Sequence, residues 1–133
     1  MTYVLDTNIV TYWLQGREHI RQKRDVALEN NHSIIIPPMV FYEVWRGLLK
    51  VNAVVKQAAF LSVFADAPSI SLPADMWEIA ARIHSDLTSS GIVIGDLDIL
   101  IAAFCIIQNY TLVTNNTRHF ERINELAIID WME

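Results

Sequence analysis

Cysteine is almost absent from the sequence, since Cys105 is the only one among 133 residues. A lone cysteine cannot form an internal disulfide, and the apolar run around Cys105 makes it a core residue. This excludes a disulfide-stapled secreted domain and favours a reducing, cytoplasmic setting. Because Asp6 interrupts the beginning of the chain, and no basic leader precedes an apolar run, we also expect no secretory signal peptide.

Long apolar runs and glycine-rich loops are missing as well. The longest unbroken apolar run, Ile99 to Ile107, has nine residues, whereas a membrane helix needs about 20. The four glycines are scattered and form no phosphate-cradling loop, and no Gly-x-Ser-x-Gly nucleophile elbow is present. The four histidines lack zinc-ligand spacing. We therefore expect no membrane span and no enzyme of the P-loop, dinucleotide-binding, serine-hydrolase or zinc type.

Positive charge is in deficit, with 10 Lys and Arg against 15 Asp and Glu and a net charge of −5. This balance argues mildly against a general nucleic-acid binder. Four basic residues nevertheless lie within eight positions: Arg17, Arg21, Lys23 and Arg24. They form either a solvated helix face, which is the simpler interpretation, or a patch that contacts phosphates beside an acidic site.

Apolar residues are plentiful, at 53% against 19% charged, which is typical of a compact globular protein. We expect one domain over 1–133. Four short segments that contain β-branched residues predict strands, namely 3–5, 34–36, 111–113 and 127–129. A fifth short strand is considered at 70–72. Segments between them show helical spacing. The order predicts an α/β fold with a central parallel sheet covered by helices.

The predicted helices have clear boundary signals. Three helices are expected over 18–30, 53–65 and 97–107. Three others are placed by a boundary residue: one ends before Gly16, one begins at Pro38 and one begins at Pro73. A short helix is expected from Phe120 to Leu126. Pro68 and Ser69 predict a turn. In the helix over 53–65 we expect a core-facing stripe that comprises Val54, Val55, Ala58, Leu61 and either Phe64 or Ala65.

An acidic residue stands at the end of the first predicted strand. Asp6 follows this strand directly, and Thr7 and Asn8 then lead into a helix. Ligands of open α/β sheets bind at the carboxyl ends of the strands, which suggests a divalent metal at Asp6. Aspartate is also a preferred N-cap, so Asp6 alone is equally consistent with a capping role.

A second acidic residue lies in an otherwise apolar helix. From Leu97 to Ile107 every residue is apolar except Asp98, which predicts a helix buried on all sides. A buried unpaired charge costs several kcal/mol, so Asp98 needs a partner, and a metal ion is favoured over a structural cap. Asp96 is the expected N-cap of this helix.

Four oxygen-bearing side chains converge if the sheet is parallel. Asp6 ends the first strand, Glu43 lies on the helix after the second, Asp98 begins the buried helix, and Asn116 follows the next strand. Clustered carboxylates raise each other's pKa unless a cation neutralises them, and hard oxygen ligands suit Mg²⁺ or Mn²⁺. Such a site can hydrolyse a phosphodiester.

These residues carry a family resemblance that extends over essentially the whole chain. The matching segments are Leu5-Asp6-Thr7-Asn8, Glu43-Val44-Trp45-Arg46-Gly47, 94–103, and 112–116 through His119-Phe120 to Trp131. In order and spacing the sequence resembles a PIN-domain ribonuclease, and specifically a VapC-type toxin of a bacterial toxin–antitoxin pair. The resemblance implies a PIN-like three-layer fold, with a parallel sheet flanked by helices.

The resemblance also implies a Mg²⁺- or Mn²⁺-dependent endoribonuclease. Asp6 would be the central metal ligand, and Glu43 and Asp98 would complete the set and orient water. The fourth family position is often Asp and is here Asn116, which contributes no charge and leaves a second metal site open. Asp96 is a lower-ranked metal ligand that would compensate. Thr7 and Thr114 would position these groups or the substrate.

The partners implied by the resemblance are a second copy of the chain and a cognate antitoxin. The antitoxin would wrap the toxin in a larger hetero-oligomer and insert a side chain near the carboxylates. It would also carry the DNA-binding part, so operator DNA would be reached only through it. Exposed apolar residues for such interfaces would come from Trp13, Phe41, Trp45 and Leu48, although core packing is the simpler expectation for each.

Two other functions are considered. A haloacid dehalogenase-type phosphatase also places an Asp after its first strand, but it needs a second Asp two residues later, where Asn8 stands here. A catalytically weak binding protein on the same scaffold, acting through its partner and operon regulation, gains some support from Asn116 and the acidic charge. It ranks below catalysis because an uncompensated set of acids at Asp6, Glu43 and Asp98 would weaken the fold.

Overall fold

The computed structural model describes residues 1–66 and 70–133. Short strands alternate with helices along this part of the chain. Their bounds are β1 Thr2–Leu5, α1 Thr7–Leu14, α2 Glu18–Glu29, β2 Ser33–Ile35, α3 Pro38–Lys50, α4 Val54–Ala65, α5 Met76–Ser89, α6 Asp96–Gln108, β3 Thr111–Val113, α7 Thr117–Phe120 and β4 Ala127–Ile129.

The strands form a parallel four-stranded sheet in the order β2-β1-β3-β4. Val4 of β1 lies opposite Ile35 of β2 and Leu112 of β3, and Val113 lies opposite Ile129 of β4. The predicted parallel sheet is confirmed, and each of the four strands lies within one residue of its expected bounds. Parallel pairing brings the carboxyl ends of β1 and β3 side by side at one edge.

The core is built around the two central strands and α6. Val4 and Leu5 of β1 and Leu112 and Val113 of β3 are fully buried, as is α6 from Ile101 to Cys105. Burial raises the pKa of the Cys105 thiol, so the thiol stays protonated inside the core, as expected for a free cysteine in an apolar run. In the described residues, no helix is long and apolar enough to cross a membrane.

Several predicted boundaries are wrong. The helix expected from Pro73 begins at Met76, since the carbonyl of Pro73 instead closes a turn by accepting the Met76 N–H at 3.1 Å. The segment 70–72 pairs with no strand in the part of the chain that the structure describes; Ile70 and Leu72 pack against the core instead. The alternation of apolar residues that suggested a strand at 70–72 therefore reflects packing against the core. The turn expected at Pro68 and Ser69 lies outside the described residues.

Two further corrections concern helix starts. Gly95, and not Asp96, occupies the N-cap of α6; Asp96 is the first helical residue. The short helix expected from Phe120 to Leu126 lies at α7, which ends at Phe120. Asp96 lies in the first turn of α6, where its negative charge interacts favourably with the helix dipole although it does not cap the helix.

The stripe predicted for α4 is wrong in most of its residues, although Phe64 packs against the core as one of its alternatives expected. Val55 is 84% exposed and Leu61 44%, and Val54 is exposed as well, whereas Phe60 is completely buried. The ring centroid of Phe60 lies 5.5 Å from that of Phe41 on α3. Because α4 is apolar on nearly all sides, helical spacing alone does not determine which face packs on α3.

Candidate active site at the carboxyl edge of the sheet

Asp6 lies at the point where β1 ends and α1 begins, and it is almost fully buried at 5% exposure. Its Oδ1 accepts the Thr7 N–H at 2.8 Å, so it caps α1. Its Oδ2 accepts the hydroxyl of Thr114 at 2.9 Å. Thr114 directly follows β3 and is fully buried. The capping interpretation is therefore correct, and the same carboxylate also joins the ends of the two central strands.

The loop after β3 extends this network to Asn116. The main-chain N–H of Asn116 donates to Thr114 Oγ1 at 3.0 Å, and Thr114 in turn donates to Asp6. The Asn116 side chain is exposed. Asn116 is thus tied to Asp6 through its backbone, and this contact does not depend on whether the residue is Asn or Asp.

Glu43 is brought to the same edge by α3. Its Oε1 accepts the hydroxyl of Thr7 at 2.9 Å. Arg46, one turn further along α3, places a guanidinium nitrogen 3.9 Å from Glu43 Oε2, and this guanidinium also lies 5.0 Å from the ring centroid of Tyr42. Thr7 therefore connects two acids, since its N–H donates to Asp6 and its hydroxyl to Glu43.

Asp98 lies in the first turn of α6 and has a histidine partner. Its Oδ2 lies 2.9 Å from Nε2 of His119, and the two side chains are 28% and 26% exposed. The expected full burial of Asp98 is wrong, since this residue is only partly buried, but the expected need for a partner is met by His119. Zinc-ligand spacing, the pattern considered for the histidines, does not reveal this contact. The position of His119 three residues after Asn116, near the active edge of the sheet, was the available signal.

Asp96 lies on another part of the surface. It is exposed and lines a groove between α5 and α6 with Ala80, His84 and Leu100. The charges of Asp98 and Glu43 act on Asp6, and that of Asp96 is not among the causes of its shift. The structure brings together Asp6, Glu43 and Asp98 and leaves Asp96 apart from them.

The electrostatics of the site centre on Asp6. Burial raises its pKa to about 6, the hydrogen bonds from Thr114 and Thr7 oppose this, and the charges of Asp98 and Glu43 raise it further. These causes are desolvation, hydrogen bonding to the charged form and like-charge repulsion. Ionised Asp6 is therefore destabilised, and a nearby cation would relieve the repulsion.

The chemistry of the donors fits a hard divalent cation. Asp6, Glu43 and Asp98 offer carboxylate oxygens, which are the ligands that Mg²⁺ and Mn²⁺ prefer. Within residues 1–66 and 70–133, no three or more His, Cys, Asp or Glu side chains lie close enough together to hold a metal ion. Asp98 is held by His119 and Glu43 by Thr7. The oxygen set thus fits such an ion in kind but does not close around one.

A groove of about 320 Å³ runs from Glu43 between α1, α3 and α4. Thr7 and Thr11 line one wall, and Leu48 and Lys56 lie on the other side. The lining of the groove is mainly apolar and includes one basic side chain, Lys56. The groove therefore suits part of a larger partner or substrate that lies beside the carboxylates.

The basic cluster contacts aromatic rings of α1. The Arg17 guanidinium carbon lies 4.1 Å from the ring centroid of Tyr12, whose hydroxyl accepts Asn115 Nδ2 at 3.1 Å. Arg24 instead pairs with Asp25 at 2.8 Å and covers Trp13. Arg17 is therefore linked through Tyr12 to the loop that follows β3, whereas Arg24 is partly neutralised.

The four residues considered for interfaces are half-buried and pack against the core: Trp13, Phe41, Trp45 and Leu48. Large apolar side chains that are exposed lie elsewhere: Val51, Val54, Val55, Trp77 and Val93. Core packing accounts for the first group.

Comparison with known proteins gives consistent results. A model of the PIN domain family matches residues 3–126. Ribonuclease VapC2 of Rickettsia felis is 31% identical over 132 residues, covering 98% of each chain. The tRNA(fMet)-specific endonuclease VapC of Salmonella typhimurium is 28% identical over 137 residues, also covering 98% of each.

Similar solved structures include two VapBC assemblies. VapBC2 from Rickettsia felis, bound to a DNA fragment of the promoter, contains a chain with a TM-score of 0.89 and 29% identity; 98% of this chain and 99% of that chain are covered. A chain of VapBC-1 from nontypeable Haemophilus influenzae has a TM-score of 0.87 and 25% identity, and both chains are fully covered.

Proposed function

The chain belongs to the PIN domain family, and from this premise we propose that it is the endoribonuclease toxin of a type II toxin–antitoxin pair. It would hydrolyse RNA phosphodiester bonds with the help of Mg²⁺ or Mn²⁺ and so inhibit translation or growth. The observation that carries this proposal is Asp6, which lies at the carboxyl end of β1 beside Asp98 and Glu43 and whose pKa rises to about 6, chiefly through burial and to a smaller extent through the charges of those two acids. Such costly carboxylates concentrate at functional sites.

Asp6, Glu43 and Asp98 would hold the divalent cation. When bound, the cation neutralises the carboxylates, binds a phosphate oxygen and lowers the pKa of the attacking water. Asp6 would be the central ligand, since it lies at the junction of both central strands. Thr7 and Thr114 would keep the acids in place, as their hydroxyls donate to Glu43 and Asp6. Asn116 would contact the substrate or a water through its exposed amide.

The partners follow from the relatives. The similar chains from Rickettsia felis and Haemophilus influenzae are in VapBC assemblies, one of them bound to promoter DNA. We therefore propose a VapB-type antitoxin as the partner of this chain, with homodimers assembled into a larger complex and with operator DNA bound only by the antitoxin. Residues 1–133 would act as one domain in the cytoplasm, where the RNA substrate is found.

A partner-binding protein without catalysis is the second candidate. It is favoured by one observation, namely that the described carboxylates do not close around a metal ion. In that case the protein would act only by binding its antitoxin. Metal binding and RNA cleavage distinguish the two candidates.

The test is cleavage of cellular RNA by antitoxin-free protein. A pool that includes tRNA(fMet), which a relative's name identifies as its substrate, would be incubated with Mg²⁺ or Mn²⁺ and then with EDTA. We expect discrete cuts that require the metal and are lost in Asp98→Ala. Asp86→Ala, which changes an exposed aspartate of α5, is the matched control and should cleave normally. Cuts that persist in EDTA, or in folded Asp98→Ala, would contradict the proposal. Failure to cleave RNA or to bind Mn²⁺ in calorimetry would favour the partner-binding protein.

A further inference from the structure

We propose that His119 is a positioning residue for Asp98. The Nε2–H of His119 would hold Asp98 Oδ2 and so fix the direction of the carboxylate toward the cation site. This inference rests on the proposed function, because it concerns the metal ligand Asp98. It adds a residue that the family motif did not single out for this role.

The first support is the contact itself. His119 Nε2 and Asp98 Oδ2 are 2.9 Å apart, and the bond joins α7 to the first turn of α6. An ionised carboxylate only accepts hydrogen bonds, so the bond requires the proton on Nε2. It occupies one of the two oxygens of Asp98 and restricts rotation of the carboxylate. Partners of this kind orient ligating groups in many metal sites.

The second support is the anchoring of His119. Its ring meets the ring of Phe120 edge-on, with centroids 5.2 Å apart and planes at 88°, and Phe120 is buried in the core. Its main-chain N–H donates to the carbonyl of Asn116 at 3.1 Å. A ring anchored in this way can impose an orientation on Asp98.

The third support is that the same loop also holds Asp6. The N–H of Asn116 donates to Thr114 Oγ1, and that hydroxyl donates to Asp6 Oδ2. The segment from Thr114 to His119 therefore contacts two of the three acids, Asp6 at one end and Asp98 at the other. One segment of the chain thus contributes to the position of both acids, and a metal site needs its ligands held in a fixed arrangement.

The alternative is that His119 contacts RNA directly. In that case its loss would weaken substrate binding and leave metal affinity unchanged. Its contact with Asp98 at 2.9 Å favours the positioning role, and the experiment separates the two.

The experiment measures Mn²⁺ affinity by calorimetry on the full chain without RNA, alongside the KM and kcat of cleavage. His119→Gln keeps an N–H donor near the Nε2 position, whereas His119→Leu removes it. His84→Gln and His84→Leu, on the exposed face of α5, are matched controls. Asp98→Asn reports whether Asp98 is a metal ligand at all. Circular dichroism and the melting temperature check that every variant is folded.

We expect His119→Leu to weaken Mn²⁺ binding by roughly 10-fold or more and to lower kcat, with His119→Gln restoring most of both. Unchanged Mn²⁺ affinity in His119→Leu, or equal losses in the Leu and Gln variants, would overturn the positioning role. If Asp98→Asn weakens Mn²⁺ binding while His119→Leu does not, the proposed function stands and only this inference fails. If Asp98→Asn also binds Mn²⁺ like the parent protein, the proposed metal site itself is wrong.

Discussion

At the scale of single residues, Asp6 combines structural and functional demands in one carboxylate. It caps α1 and accepts the Thr114 hydroxyl, yet its burial and the charges of Asp98 and Glu43 make its ionised form costly. A residue selected for stability alone would not need to carry this charge. This cost is consistent with the cation site that we propose, because a bound cation would neutralise the repelling charges.

The raised pKa of Asp6 predicts a pH-dependent stability of the metal-free protein. The folded state binds the proton up to about pH 6, whereas the unfolded chain releases it near 3.8. The free energy of unfolding therefore falls as the pH rises from 4 to 6, by roughly 3 kcal/mol. Asp6→Asn should remove this loss, because its amide can still accept from Thr7 and can donate to Thr114 Oγ1.

Urea unfolding in EDTA at pH 4 and pH 7 tests this prediction. Asp6→Asn should be more stable than the parent protein at pH 7, nearly equal to it at pH 4, and inactive as a nuclease. Asp86→Asn is the control and should keep the pH profile of the parent protein. If Asp6→Asn is less stable than the parent protein at pH 7, the fold stabilises the ionised carboxylate and the predicted pH dependence is wrong.

At the scale of elements, α4 shows how a helix without a polar face is oriented. Aromatic contacts determine how this helix packs, since the ring centroids of Phe60 and Phe64 lie 5.5 Å and 4.5 Å from that of Phe41 on α3. Val54, Val55 and Leu61 remain exposed. The helix thus packs on α3 through its two phenylalanines, Phe60 and Phe64.

This packing predicts losses of stability of very different size at two neighbouring residues of α4. Phe60→Ala should lower the free energy of unfolding by about 3–5 kcal/mol, because it leaves a cavity against α3. Leu61→Ala, at 44% exposure, should cost less than about 1 kcal/mol. Urea denaturation of both variants at one pH measures the contrast. A loss in Leu61→Ala as large as that in Phe60→Ala would contradict this packing, and a larger loss in Leu61→Ala would mean that α4 packs with the face that its sequence pattern first suggested.

At the scale of the whole molecule, the proposed ribonuclease activity requires an acidic protein to bind a polyanion. With a net charge of −5, local basic groups have to offset the general repulsion. Arg17 is exposed and is joined through Tyr12 and Asn115 to the loop that carries Thr114, and Arg21 is an exposed neighbour on α2. These two are the basic residues of the cluster best placed for phosphates, since Arg24 already pairs with Asp25.

Replacing Arg17 and Arg21 together by Gln should weaken RNA binding without affecting Mn²⁺ affinity. Loss of one or two phosphate contacts would lower the slope of log affinity against log salt by about 0.7 per contact for single-stranded RNA. Fluorescence anisotropy across a salt series measures this. Arg82→Gln, an exposed arginine of α5 paired with Glu78, is the control. An unchanged slope would support the simpler interpretation of a solvated helix face.

Much of the protein could be predicted from local pattern. The β-branched segments specify the four strands because buried parallel strands must be apolar along their length. The parallel order then requires Asp6 and the residues after β3 to share an edge, whatever the details of packing. The order and spacing of motifs also sufficed to identify the PIN domain family, which the family model confirms over residues 3–126.

Only the tertiary structure decided which partners the acids have. Thr114 and Asp6 are 108 residues apart in the chain, and His119 reaches Asp98 across 21. Such contacts depend on the distance between folded elements, which no local period encodes. The same holds for the face of α4, since hydrophobic spacing shows that a helix is buried but not against which neighbour it packs. Chain order alone thus determined the sheet and its active edge, while the packing of α3, α6 and α7 determined the hydrogen bonds of the carboxylates.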